Sequence, residues 1–199
     1  MSGLAAAIFL IWNYFPACDM LACASVLLYL LGMLASYTAS TLYHSCPENS
    51  PWRLKLRKLD HAAIYWHIAG SYSPITLIAL RDSGFWGWGI FIVIWLCALL
   101  GTVLTYAELK DRKNHFETVC YVVMGLLIVV AFKYLMAAVP MDIVWWIVAE
   151  GVFYITGAIF YSVYRIKYMH FVFHMFVLCG SISHFMAVWG MLEYFLEIS

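Results

Sequence analysis

The stretch Met169-His-Phe-Val-Phe-His-Met-Phe-Val-Leu-Cys-Gly-Ser-Ile-Ser-His-Phe185 decides how this chain is read. It is almost wholly apolar, and the apolar character continues to about residue 195, long enough to cross a hydrocarbon layer of ~30 Å. Yet it carries His170, His174 and His184. His170 and His174 are four apart, so on a helix they stack on one face. Two imidazoles stacked this way can grip one metal ion. A membrane helix carries such side chains at a cost, which asks for a reason.

Working outward, the composition sets the broad class. Apolar residues make up 65% of the chain, charged residues 11%, and the mean hydropathy is +0.87. Soluble domains run nearer ~45–50% apolar and ~25% charged. A 199-residue chain of this kind is a polytopic membrane protein. The formal net charge is zero, so no acidic or basic partner is implied. A nucleic-acid partner has no support, because the 11 Lys and Arg are scattered over loops with no basic helix or aromatic RNA motif. The six cysteines contain no C-x-x-C pair and read as small buried hydrophobes.

Seven spans are expected, at roughly 3–15, 20–45, 58–80, 85–106, 117–138, 141–163 and 169–195. Turn chemistry separates them: Pro16 to Asp19, Cys46-Pro-Glu-Asn-Ser-Pro51, Arg81-Asp-Ser-Gly84, the charged run Glu108 to Asn114, Val139-Pro-Met-Asp142 and Tyr164 to Lys167. No linker divides the chain, so residues 1–199 read as one integral membrane domain, an all-α seven-transmembrane-helix bundle. The first span reaches only ~20 Å, and no basic leader or cleavage site marks a signal peptide. The expectation is a chain lacking an N-terminal stretch, or a late start. Nine of the eleven basic residues follow spans two, four and six. By the positive-inside rule that side is cytoplasmic, the N-terminus is inside and the C-terminus outside.

On that topology His44, at the end of span two, Asp60, at the start of span three, and His170 with His174, at the start of span seven, fall at one membrane depth. Three neutral imidazoles with a fourth position left to water describe a catalytic type of zinc site. Imidazole also suits copper, iron and nickel, so zinc is a preference. Asp60 would bind the metal directly, or hold its water and accept a proton. Ser40, one turn from His44 on the same face, would hydrogen-bond a ligand or a developing oxyanion. Asp60 as fourth ligand would instead make a closed, structural zinc. His184 lies ~15 Å beyond His174 and is expected in a helix–helix hydrogen bond. His67, on nearly the face of Asp60, lines a cavity or packs. His61 and His115 are expected at the interface. Lys133 and Glu150, inside adjacent spans, suggest an intramembrane ion pair. Gly70-Ser-Tyr-Ser-Pro74 is expected to kink span three.

These motifs resemble the haemolysin III family of bacteria, which belongs with the adiponectin and progestin receptors (the PAQR superfamily). The resemblance is carried by Ser40-x-x-x-His44-Ser45, by Leu59-Asp60-His61 followed by Ala69-Gly-Ser-Tyr-Ser-Pro74, and by His170-x-x-x-His174 continuing through Gly180-Ser181 to His184-Phe185. It implies seven helices, an inside N-terminus and a zinc near the cytoplasmic face, held by residues matching His44, His170 and His174. The aspartate matching Asp60 acts there through a water. Some relatives hydrolyse lipid amides; bacterial members are named for haemolysis, and some are linked to membrane fluidity. This chain departs in His67 and Glu150, where apolar or small residues are expected, and in lacking the N-terminal segment, with its Glu-Glu and Asn/His positions, that the resemblance leads one to expect before the first helix.

The leading expectation is a zinc-dependent hydrolase of a lipid amide or ester in the bacterial inner (plasma) membrane, with catalytic residues Asp60 and Ser40 and metal ligands His44, His170 and His174. Its partners are membrane lipids and the zinc ion. A pore-forming haemolysin and a fluidity sensor with a structural zinc are the alternatives. The few intramembrane charges do not describe an obvious aqueous conduit.

Overall fold

The computed structural model describes residues 2–107, 115–162 and 168–197; the side chains of residues 2–4 and 6, His115, Ser162 and His170 lie outside what it describes. All regular structure among the described residues is helical. The helices are α1 (Ser2–Tyr14), α2 (Met20–Ser45), α3 (Arg53–Pro74), α4 (Phe85–Ala107), α5 (His115–Gly125), α6 (Phe132–Ala138), α7 (Met141–Ser162) and α8 (Met169–Glu197). A π-helical turn, Ile75–Ala79, extends α3, and a 3₁₀ segment, Leu126–Ala131, joins α5 to α6. Counting α5, the 3₁₀ segment and α6 as one, the described residues form the seven expected spans. Five of these stretches are long and apolar enough to cross a membrane. The other two are α1, which has 13 residues, and α3, whose first turns carry the basic run Arg53 to Lys58.

The chain divides into two compact units, residues 1–113 and 114–199. In the first, α2 and α3 form an antiparallel hairpin whose backbones touch. A Cβ on Gly32 would lie 2.6 Å from the Trp66 carbonyl oxygen, and one on Gly70 would lie 2.7 Å from that of Leu28. Lipid offers no hydrophobic drive between helices, so close approach at small residues does the work. The small stripe on α2 runs Gly32, Ser36, Ser40 at four-residue steps. From Ala69 to Leu80 every residue is buried, which makes this half of the third span the core of the unit.

Helix α4 shows why both faces of a membrane helix are apolar. Ile90, Ile94, Ala98 and Gly101 are buried on one stripe, while Ile92, Leu96, Leu99, Leu100 and Val103 are exposed on the other. Water would penalise that second stripe; lipid does not.

Pro74 does not break its helix as a sharp kink would. It lacks an N–H, and the chain responds by widening, with Leu80 N–H donating to the Ile75 carbonyl at 3.0 Å. Thr76 Oγ1 donates to the carbonyls of Tyr72 and Ser73, and Ser73 Oγ to that of Ala69. Side-chain hydroxyls therefore satisfy part of the disturbed backbone, as a lipid setting requires.

In the second unit α7 and α8 run antiparallel and pack through glycines. A Cβ on Gly180 would meet the Tyr154 ring at 2.8 Å, and one on Gly157 would meet Phe176 Cβ at 3.1 Å. Two polar rungs cross this interface: His184 Nδ1 to Glu150 Oε2 at 2.7 Å, and Tyr154 Oη to Ser181 Oγ at 3.0 Å. The first is the helix–helix bond expected of His184. It also corrects the expected Lys133–Glu150 ion pair. Glu150 faces α8, while Lys133 is exposed on α6. The cause is register: the glycine contacts that bring Gly180 to Tyr154 carry His184 to Glu150, one turn away on each helix.

Candidate metal centre

The end of the first unit that carries Cys46 to Trp52 gathers three of the predicted residues. The turn is compact because prolines flank it. Ser50 N–H donates to the Pro47 carbonyl at 3.0 Å, and Arg53 N–H to that of Ser50 at 3.1 Å. Arg53 also donates from its guanidinium to the Cys46 carbonyl and stacks over the Tyr43 ring at 4.9 Å. This basic side chain thus ties the start of α3 to the end of α2.

Register then does the rest. The Gly32 contact with Trp66 sets the two helices against each other. Eight residues toward the turn on α2 is Ser40, and six back along α3 is Asp60. The Ser40 hydroxyl hydrogen-bonds the Asp60 carboxylate, and the imidazoles of His61 and His44 lie within Coulombic reach of it. Asp60 is half-buried, as are Ser40 and His61, and His44 is exposed. The His44 ring contacts Tyr43 at 4.9 Å. A carboxylate oriented by a hydroxyl, with an imidazole beside it, is the arrangement that tunes metal ligands from outside the coordination sphere.

His67 takes the packing alternative. It is buried on α3 and meets the Tyr37 ring of α2 edge-on, with centroids 5.9 Å apart.

The other predicted ligands belong to the second unit. α8 begins at Met169, immediately after Tyr168, whose φ of 72° lies in the left-handed region that few aromatic residues occupy. His174 is half-buried and contacts the Phe173 ring at 5.2 Å. No described side chain from Tyr168 to Cys179 is fully buried, whereas Gly180, Ser181, Ser183, His184, Ala187 and Val188 are. The His174 end of α8 is therefore its open end. His170 lies on the same helix, but its side chain, and that of His115, fall outside the described residues.

Among the described residues no group of three or more His, Cys, Asp and Glu side chains is placed to hold a metal ion. Within the first unit the structure brings together Ser40, His44 and Asp60. The donors it does describe are of the right chemistry: imidazoles and one carboxylate already held by a hydroxyl.

Two polar features of the chain were not legible from spacing. The Tyr154–Ser181 rung links residues with no motif in common, and the pairing of Glu150 with His184 needed the α7–α8 register. A mutual four-residue spacing, Glu150 to Tyr154 against a three-residue one, Ser181 to His184, was the available signal.

A model of the haemolysin-III-related family matches residues 1–185. The chain is 37% identical over 160 residues to Hemolysin-3 of Bacillus cereus, covering 80% of this chain and 71% of that protein. It is 35% identical over 176 residues to a Hemolysin-3 homolog of Bacillus subtilis (strain 168), covering 88% and 79%. A more distant likeness, 27% over 174 residues, is to the human Monocyte to macrophage differentiation factor, covering 81% and 68%.

Proposed function

Because this chain belongs to the haemolysin-III-related family of multi-pass membrane proteins, we propose that it is a zinc-dependent hydrolase of membrane-lipid amides or esters. The observation that carries the reading is the hydrogen bond from Ser40 to Asp60 beside His44. His44, His170 and His174 would hold the ion. Bound zinc supplies a Lewis acid that polarises a carbonyl oxygen. Asp60 acts as the proton acceptor, a role worth ~10²–10⁴-fold in rate. Ser40 would hold the carboxylate in place through its hydroxyl. His61, next along α3, adds positive character nearby when protonated. The protein acts as a single domain in the bacterial inner membrane, with its N-terminus and the Ser40–Asp60 end cytoplasmic, as the basic residues beside that end support.

The test is zinc content and lipid turnover of the detergent-purified protein. About one zinc per chain is expected from three protein ligands. His44→Ala and His174→Ala should lose the metal and the turnover together. Asp60→Asn should keep the metal and lose turnover. Folded protein with stoichiometric zinc and no release of fatty acid from a panel of lipid amides and esters would overturn the hydrolase.

A second reading, a pore, rests on the name of the Bacillus relatives, Hemolysin-3. Dye release from liposomes separates the two. Leakage that survives the His44→Ala and His174→Ala substitutions favours the pore.

A further inference from the structure

The turn between α1 and α2 holds two thiols at a helix start. We propose that Cys18 and Cys23 close into a disulfide on the outer face of the membrane, a redox-controlled staple that fixes how α1 enters α2. The proposal rests on the orientation given above, in which this turn is outside.

The geometry follows from the cap. Asp19 is the N-cap of α2, with φ −69° and ψ 165°, and its Oδ1 accepts from the Ala22 N–H at 2.7 Å. Counted from that cap, Cys18 is the residue before it and Cys23 the fourth residue of the helix. Side chains at these two positions often meet across a helix start as a hydrophobic pair. Here both are thiols. They lie within hydrogen-bonding reach of each other, and Cys23 Sγ also faces the carbonyls of Phe15 at 3.7 Å and Cys18 at 3.8 Å.

The backbone on either side is already held. Cys18 N–H donates to the Tyr14 carbonyl and Cys23 N–H to the Asp19 carbonyl, both at 3.0 Å. Asp19 is further tied to Arg81 at the end of the third span. The two sulfurs are thus brought together by a cap, a turn and an ion pair that do not depend on the bond between them.

Burial, then the neighbouring Cys23 thiol, push the Cys18 thiol up to about 11. The reduced Cys18 therefore sits protonated and reacts slowly unaided, since the thiolate is the nucleophile. Closure calls for a disulfide-bearing oxidant, a thiol–disulfide oxidoreductase of the outer compartment, where disulfides persist. The Cys23 thiolate attacks one sulfur of that disulfide and expels the other as a thiolate. The Cys18 thiol then gives up its proton to that thiolate, attacks Cys23 Sγ and expels the second oxidant sulfur, which takes the proton that Cys23 had lost. Two S–H bonds are lost, one S–S bond forms, and the oxidant leaves as a dithiol carrying two electrons and two protons. The closed loop is short, so the gain lies in the entry angle of α1 more than in stability.

The test uses the full chain with Cys46, Cys97, Cys120 and Cys179 replaced by Ser. Cells are acid-quenched, and the membranes are treated with maleimide-polyethylene glycol before and after reduction. No tag before reduction and two tags after is the expected result. Two tags before reduction would overturn the staple. Should the fourfold variant not fold, intact mass of the natural chain, purified with blocked thiols, gives the same answer: it should be two hydrogens lighter until reduced, with Cys18 and Cys23 unblocked. A single-cysteine chain retaining Cys46 reads the orientation separately. It should resist a membrane-impermeant maleimide in intact cells. Tagging of Cys46 from outside would remove the orientation, and the staple's oxidant with it.

Discussion

At the scale of single residues, the buried pair Glu150–His184 and the capping residue Asp19 give the sharpest tests. His184 has 1% of its side chain exposed and Glu150 13%, so each depends on the other. His184→Leu leaves a carboxylate in an apolar setting, a loss of about 3–5 kcal/mol. Glu150→Leu leaves the His184 ring without this hydrogen-bond partner, which costs less, about 1–3 kcal/mol. The double variant should recover most of either loss, and thermal unfolding in detergent reads all three. An unchanged midpoint for His184→Leu would remove the pair from the stability of the second unit. Asp19 is a different case, because it is solvent-accessible. The Ala22 N–H, then Arg81, hold its carboxyl below the ordinary carboxylate value. The folded value is the lower one, so the stability it adds is present above the ordinary range near ~4 and is lost as pH falls through the folded value. Asp19→Ala should cost about 1 kcal/mol at neutral pH, and Asp19→Asn less, since the amide oxygen still caps. In Asn the acid-side loss should shrink, which a melting series from neutral to acid pH would show. Much at this scale was readable beforehand: Ser40 with His44 one turn on, and Asp60 at matching depth, came from spacing and charge placement. The partner of Glu150 did not, because residues 133, 150 and 184 are linked by register, which a single sequence does not print.

At the scale of helices, glycine positions separate contact from tolerance. Gly32 and Gly70 each abut a carbonyl oxygen of the opposite helix at under 3 Å from a notional Cβ, and backbone cannot step aside. A notional Cβ on Gly125 meets no heavy atom of the described residues within 4 Å. Gly32→Ala and Gly70→Ala should therefore force α2 and α3 apart, at about 1–3 kcal/mol each, and disturb the Ser40–Asp60 bond that depends on their register. Gly125→Ala should be neutral or mildly stabilising, since Ala is the better helix former by about 1 kcal/mol. Melting of the three variants, with zinc content for the first two, checks this; equal effects at Gly32 and Gly125 would refute the contact argument. The spans themselves were legible because hydropathy and turn residues bound them. Two details were not. α3 begins at Arg53, before the expected 58, because a basic run hides a helix from a hydropathy reading. The fifth span changes to 3₁₀ over Leu126–Ala131 with no proline to announce it. The β-branched run Ile128-Val-Val130 there is stiff at χ1, which lowers its helix preference.

At the scale of the whole chain, the proposed ligands divide between the two units by their position in the sequence: His44, with Asp60, in residues 1–113, and His170 with His174 in residues 114–199. That division makes a prediction that no point substitution can make. If the chain is cut in the charged run Glu108 to Asn114, neither half alone holds a complete set of three imidazoles. The halves, expressed separately and purified, should each retain little zinc. Expressed together, they should retain about one ion per pair, because on the proposed reading three protein ligands from both halves would fill a catalytic type of site. Removing zinc from the intact chain with a chelator should lower its melting temperature, since an ion bound only by the folded state stabilises it by mass action. Full zinc retention by residues 114–199 alone would take His44 out of the ligand set. Asp60 would then be a carboxylate held by Ser40 at a helix end with no ion to serve, and the hydrolase would lose the proton acceptor on which its chemistry rests.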